Sequence, residues 1–115
     1  MSISHQGNSL TINDNIITFP LNIAQVIDVE GLVIVRLRLE GENNIMRNVY
    51  AYDRKGNLIW TIQEPHIQPS GTFPIYSFIR IEDGKLIAGN TVGYDYFVDL
   101  KTGEVTCTNP NARPW

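Results

Sequence analysis

Hydrophobic and polar residues alternate with a period of two along most of the chain, the pattern of strands that bury one face. In the run Val33 to Glu40, Val33, Val35, Leu37 and Leu39 share one face, and Ile34, Arg36, Arg38 and Glu40 share the other. Leu58, Trp60 and Ile62 alternate in the same way with Ile59, Thr61 and Gln63, as do Tyr94, Tyr96, Val98 and Leu100 with Asp95, Phe97 and Asp99. Between such runs stand Asp14-Asn15, Glu30-Gly31, Arg54-Lys55-Gly56-Asn57, Asp83-Gly84 and Lys101-Thr102-Gly103. Each carries a Gly or Asn that accepts positive φ at small cost, as hairpin loops require. The pattern predicts strands near residues 8–13, 16–19, 23–29, 32–40, 48–53, 58–63, 75–82, 85–89, 94–100 and 104–108. Leu21, Ala24 and Gln25 could begin a helical turn, but the β-branched Val26, Ile27 and Val29 favour a strand there. The expected fold is all-β, an antiparallel meander of about 8–10 strands.

The meander repeats itself. Tyr50 to Trp60 lies over Tyr96 to Cys107 with one extra residue in the second turn. In both, a strand ends in Asp (Asp53, Asp99), a Gly turns the chain (Gly56, Gly103), and apolar residues follow two and four positions later. Each is preceded by a tighter hairpin, at Glu30-Gly31 and at Asp83-Gly84, so two four-stranded units recur at a spacing of about 46 residues.

Val49 to Trp60, which reads as apolar-x-Ala-apolar-Asp, a Gly turn and a strand ending in Trp, resembles a blade of the quinoprotein-like β-propellers, and the similarity covers about residues 26–108. Tyr52 to Trp60, Asp83 to Asn90 and Gly93 to Gly103 are also similar to a group of small bacterial all-β proteins. These carry the hairpins Tyr-Asp-x-x-Gly-x-Leu-x-Trp, Asp-Gly-Lys-Leu-x-Ala-x-Asn and Gly-Tyr-x-Tyr-x-x-Asp-x-x-Thr-Gly. The second resemblance is the closer one; it implies one or two blade-like units and no particular activity. A propeller ring needs at least four blades, on the order of 160 residues. With 115 residues, the two units are expected to pack as a sandwich or flattened barrel instead. The organisation expected is a single domain over residues 1–115. Within it we expect an N-terminal hairpin (8–19) covering a sheet edge, unit one (23–63), a proline-bearing loop (64–74), unit two (75–108) and a tail (109–115).

Composition narrows the function classes. Hydrophobic residues at 43% and charged residues at 18% describe an ordinary globular chain. A net charge of -3 with no basic run argues against a nucleic-acid partner. The only cysteine, Cys107, cannot form an internal disulfide, and residues 1–14 lack the basic and apolar regions of a secretion signal, so a cytoplasmic location is expected. The apolar run Gly31 to Val35 is far shorter than a membrane helix needs, so no membrane association is expected.

Candidate chemistry is sparse. His5 and His66 have no second ligand at metal spacing, and no nucleophile elbow or phosphate-cradling loop surrounds Ser70, Ser77 or Asp95; no metal, no cofactor and no enzymatic activity are expected. Asp53 and Asp99 occupy equivalent strand ends and are expected to cap their turns. Asp95 and Asp99 stand ~13 Å apart on one strand face, too far for a glycosidase pair. Arg36 and Arg38 form a basic stripe that either docks an acidic partner or pairs across strands with Asp28 and Glu30. The candidate binding surface is His66, Trp60, Tyr94, Asp95, Tyr96, Arg36, Arg38 and Trp115, with aromatic side chains as anchors. The expected function is a non-enzymatic protein-interaction domain, for instance an immunity-type partner of a toxin. The alternatives are a homo-oligomeric structural protein and, behind it, a small hydrolase or carbohydrate-binding domain.

Overall fold

The structure, a computed structural model, describes residues 3–38, 47–63, 76–90 and 95–108. Three antiparallel meanders follow one another. β1 (Ile3–Gln6), β2 (Ser9–Ile12) and β3 (Asn15–Thr18) form a three-stranded sheet. β4 (Ile23–Val29), β5 (Leu32–Leu37), β6 (Val49–Asp53) and β7 (Leu58–Thr61) form the first four-stranded sheet. β8 (Tyr76–Glu82), β9 (Lys85–Asn90), β10 (Asp95–Val98) and β11 (Val105–Cys107) form the second. None of the sheets closes on itself. The described residues contain no helix, and hence none long and apolar enough to cross a membrane.

The two four-stranded sheets have comparable turns. Glu30 and Gly31 (φ 47 and 82) and Asp83 and Gly84 (φ 51 and 75) take positive φ at both central positions, as type I′ hairpins do. In the longer turns, Asp53 Oδ1 accepts the Lys55 and Asn57 N–H groups at 2.8 and 2.9 Å, and Asp99 Oδ1 accepts the Lys101 N–H at 2.8 Å. Both aspartates therefore cap their turns. The Asn57 N–H, then its side-chain amide, holds the Asp53 carboxyl below its usual value. A lowered folded-state value contributes stability above the unfolded-state value that is lost as pH falls through the folded one. Asp53→Asn is expected to lower the urea midpoint at neutral pH, and the gap from the parent protein should close at acid pH; a gap that persists unchanged into acid contradicts this account.

The middle sheet is buried on both faces. Val33, Val35, Leu37 and Tyr52 pack with Leu10 and Ile12 of the N-terminal sheet and with Phe19, Leu21 and Ile23. On the opposite face, Ile34, Val49, Ala51, Trp60 and Ile62 meet Tyr76, Ile79, Leu86, Ala88, Tyr96, Val98 and Val105 of the second sheet. Two expectations are corrected here. The N-terminal element is three-stranded from Ile3 onward and covers a face, not an edge. β5 is also not half-buried, because Ile34, grouped by sequence with Arg36 and Arg38, lies in the second cluster.

Several outer strands are guarded against further pairing. β4, β7 and β8, three of the four outer strands of the two four-stranded sheets, each carry a register shift, at Ile23/Gln25, opposite Ala51/Tyr52, and at Tyr76/Phe78. Bulges of this kind twist an edge away from further pairing. The edge of β8 is also occupied by side-chain amides of the first unit. Gln25 Nε2 donates to Ile79 O and its Oε1 accepts from Ile79 N, both at 3.0 Å. The fully buried Asn48 donates to Leu37 O (3.1 Å) and Tyr76 O (2.9 Å) and accepts from Tyr76 N (3.3 Å). At the far edge, Gln63 Oε1 accepts from Val105 N at 3.0 Å.

Candidate functional site

β8 to β11 pair in the order β11-β10-β9-β8, and their inner face is spent on the core. The register sets what remains outside. Phe78 lies opposite Gly89, Arg80 opposite Ile87, Phe97 opposite both Ile87 and Thr106, and Glu82 opposite Lys85. The bulge at Ser77 makes this possible: it turns Tyr76 inward and Phe78 outward although the two have the same parity. A side chain at Gly89 would meet the Phe78 ring at 2.1 Å, so glycine there lets the ring lie flat on the strand.

The outer face is a chequer of aromatic and charged side chains. Arg80 sits over the Phe78 ring at 5.1 Å, donates to Glu82 at 3.0 Å and pairs with Asp95 at 3.5 Å. The Lys85 ammonium lies 5.2 Å from the centre of the Phe97 ring. Phe97 is 41% exposed, while its neighbour Ile87 is 5% exposed and forms the apolar floor. Two depressions flank the ring. One of about 560 Å³ runs toward the turns and includes Glu30, Lys101 and Glu104; a smaller one of about 280 Å³ includes Arg80, Asp83 and Asp95. Lys85 and Phe97 belong to both. An exposed aromatic with an apolar floor and a charged rim can seat a partner side chain, a role that requires no bond chemistry.

Of the residues singled out by sequence, Asp95 is on this face. Trp60 and Tyr96 are not surface residues: Trp60 is 5% exposed, and Tyr96 is fully buried, edge-on to Tyr76 at 6.0 Å. Trp60 Nε1 donates to Leu100 O at 2.8 Å, tying the first unit to the last turn of the second. Arg36 donates to Gln25 Oε1 at 2.7 Å, which orients the amide that closes β8; burial, then Arg38, lowers its pKa. Arg38 is exposed beside it. The pairing expected between this stripe and Asp28 is not found, since Asp28 bonds Arg54 at 2.9 Å. His66, Tyr94 and Trp115 lie outside the described residues, as does the loop over 64–74. Sequence reasoning passed over Phe97, Lys85 and Arg80. The available signal was Phe97 itself, an aromatic on the polar parity of a strand whose other parity is already apolar.

No curated protein and no solved structure matches the chain. The family model that does match, over residues 1–109, carries the description "Domain of unknown function (DUF7957)", and the chain belongs to that family.

Proposed function

We propose that this protein is a non-enzymatic, cytoplasmic protein-interaction domain that binds its partner through the outer face of the β8 to β11 sheet, centred on Phe97. The observation that supports it is the contrast between layers. The middle sheet is covered on both faces, whereas Arg80, Glu82, Lys85, Phe97 and Thr106 of the outer face are exposed. An aromatic side chain held half-open among charges has the make-up of an interface anchor. The strand edges are the weaker candidates, because bulges and side-chain amides already occupy them. A toxin-neutralising partner protein is one form this function takes. Kinship of the two units with propeller blades belongs to the same proposal, on the resemblance of Val49 to Trp60.

Cross-linking in the native host tests the reading. A photoreactive benzoylphenylalanine at position 97 is expected to give one discrete adduct of higher mass, and the same group at the exposed Ser4 to give none. The absence of any adduct from position 97 overturns the proposal. A second reading, a homo-oligomer, is favoured by Leu58 and Ile59 on β7, which are 54% and 44% exposed. Light scattering separates the two, because an edge-paired oligomer has at least twice the 13.0 kDa chain mass.

A further inference from the structure

Among the described residues, charged side chains gather around Phe97. Glu30, Glu82, Asp83, Asp95, Asp99 and Glu104 line the two depressions beside it. They are opposed there by three cations, Arg80, Lys85 and Lys101. The excess of three negative charges equals the net charge of the whole chain, -3, so the remainder of the sequence is formally neutral. Both aromatic rings of the face already hold a cation of the protein's own, Arg80 over Phe78 and Lys85 over Phe97. Lys85 is exposed and flexible, so its place on the Phe97 ring can be ceded to a stronger ligand.

From these observations we infer that the outer face docks a basic protein surface, one arginine of which replaces Lys85 on the Phe97 ring while neighbouring cations meet Glu30 and Glu104. The inference rests on the proposed interaction face and specifies what that face accepts. Arginine fits better than lysine, because its planar guanidinium both stacks on a ring and bonds a carboxylate in two places. The same charge excess opposes a second copy of this chain, whose identical face would bring net negative charge against net negative charge. It opposes nucleic acid and anionic lipid for the same reason.

Nuclear magnetic resonance titration of the full chain with hexa-arginine, and separately with hexa-glutamate, tests the inference. Hexa-arginine is expected to shift the amides of Lys85, Phe97 and Glu104 first, with affinity falling about tenfold as salt is raised to shorten the screening length to several ångströms. Phe97→Ala should weaken the peptide about fivefold and leave the remaining spectrum unchanged, which shows that the variant folds. Glu30→Gln with Glu104→Gln should weaken it by a similar factor. Equal shifts with hexa-glutamate, hexa-arginine shifts centred on other carboxylates such as Asp14 or Asp28, or shifts that follow protein concentration without peptide each overturn it. The cross-link from position 97 separates the two levels. An adduct with an acidic or apolar surface overturns this inference and leaves the interaction face standing, whereas no adduct overturns both.

Discussion

Trp60→Ala is expected to destabilise the protein by about 4 kcal/mol, within the range for deleting a large buried aromatic, and so to remove a large part of the ~5–15 kcal/mol by which a domain of this kind is stable. Trp60 is 5% exposed and stands at the seam between the two four-stranded sheets. It links them in two ways. Its Nε1 donates to Leu100 O at 2.8 Å, and its ring lies so close to Gly103 that a methyl group there would come within 2.8 Å of it. Removing the side chain leaves a cavity that neither β-sheet can collapse to fill, since both are held by their own ladders. Urea unfolding followed by far-ultraviolet circular dichroism measures the loss. Trp60→Phe should recover most of it, leaving a deficit of about 1–2 kcal/mol for the indole hydrogen bond. A variant Gly103→Ala should be destabilised from the other side of the contact, because residue 103 has φ 78 as well as the ring against it. If Trp60→Ala costs less than ~1.5 kcal/mol, the seam is not held by this residue.

Trp60 also shows what was legible in the sequence and what was not. Its strand and its turn follow from the position of Gly56 and from period-two alternation, because a hairpin is a local object whose residue types are dictated by φ and by facing. The capping roles of Asp53 and Asp99 were readable for the same reason. What alternation cannot report is the number of layers. Ile34 alternates with Val33 and Val35, yet all three are fully buried, because one sheet covers each side of β5. Nor does it survive a bulge: at Ser77 one extra residue reverses the parity, so that Phe78 faces out and Tyr76 in. The candidate site suffers from both effects. Trp60 and Tyr96 read as aromatic anchors until a second sheet is found over them, and Phe97 reads as an ordinary strand residue until its face is found open.

Asn48→Leu is expected to cost about 3 kcal/mol although leucine is nearly isosteric with asparagine and is itself apolar. Asn48 is the one polar residue among the fully buried side chains of the described structure. It lies just before β6 and reaches the backbone of β8 across 28 residues of sequence, donating to Leu37 O and Tyr76 O and accepting from Tyr76 N. Its amide thus presents to β8 a donor and an acceptor, as a neighbouring strand would. Leucine fills the volume but withdraws the donor from two buried carbonyls at once, and the desolvation already incurred by those groups is no longer offset. Aspartate makes the sharper comparison. An ionised carboxylate can accept from Tyr76 N but cannot donate, and it faces two carbonyl oxygens in a buried site. The folded-state pKa of an Asp at this position should therefore be raised, so Asn48→Asp should be least impaired at acid pH and lose stability as pH rises through that value. Urea midpoints of the leucine and aspartate variants, measured from acid to neutral pH, distinguish a hydrogen-bonding role from a packing one. A leucine variant as stable as the parent would show that β8 is held by the apolar core alone, and that Asn48 is only a spectator of the junction between the two units.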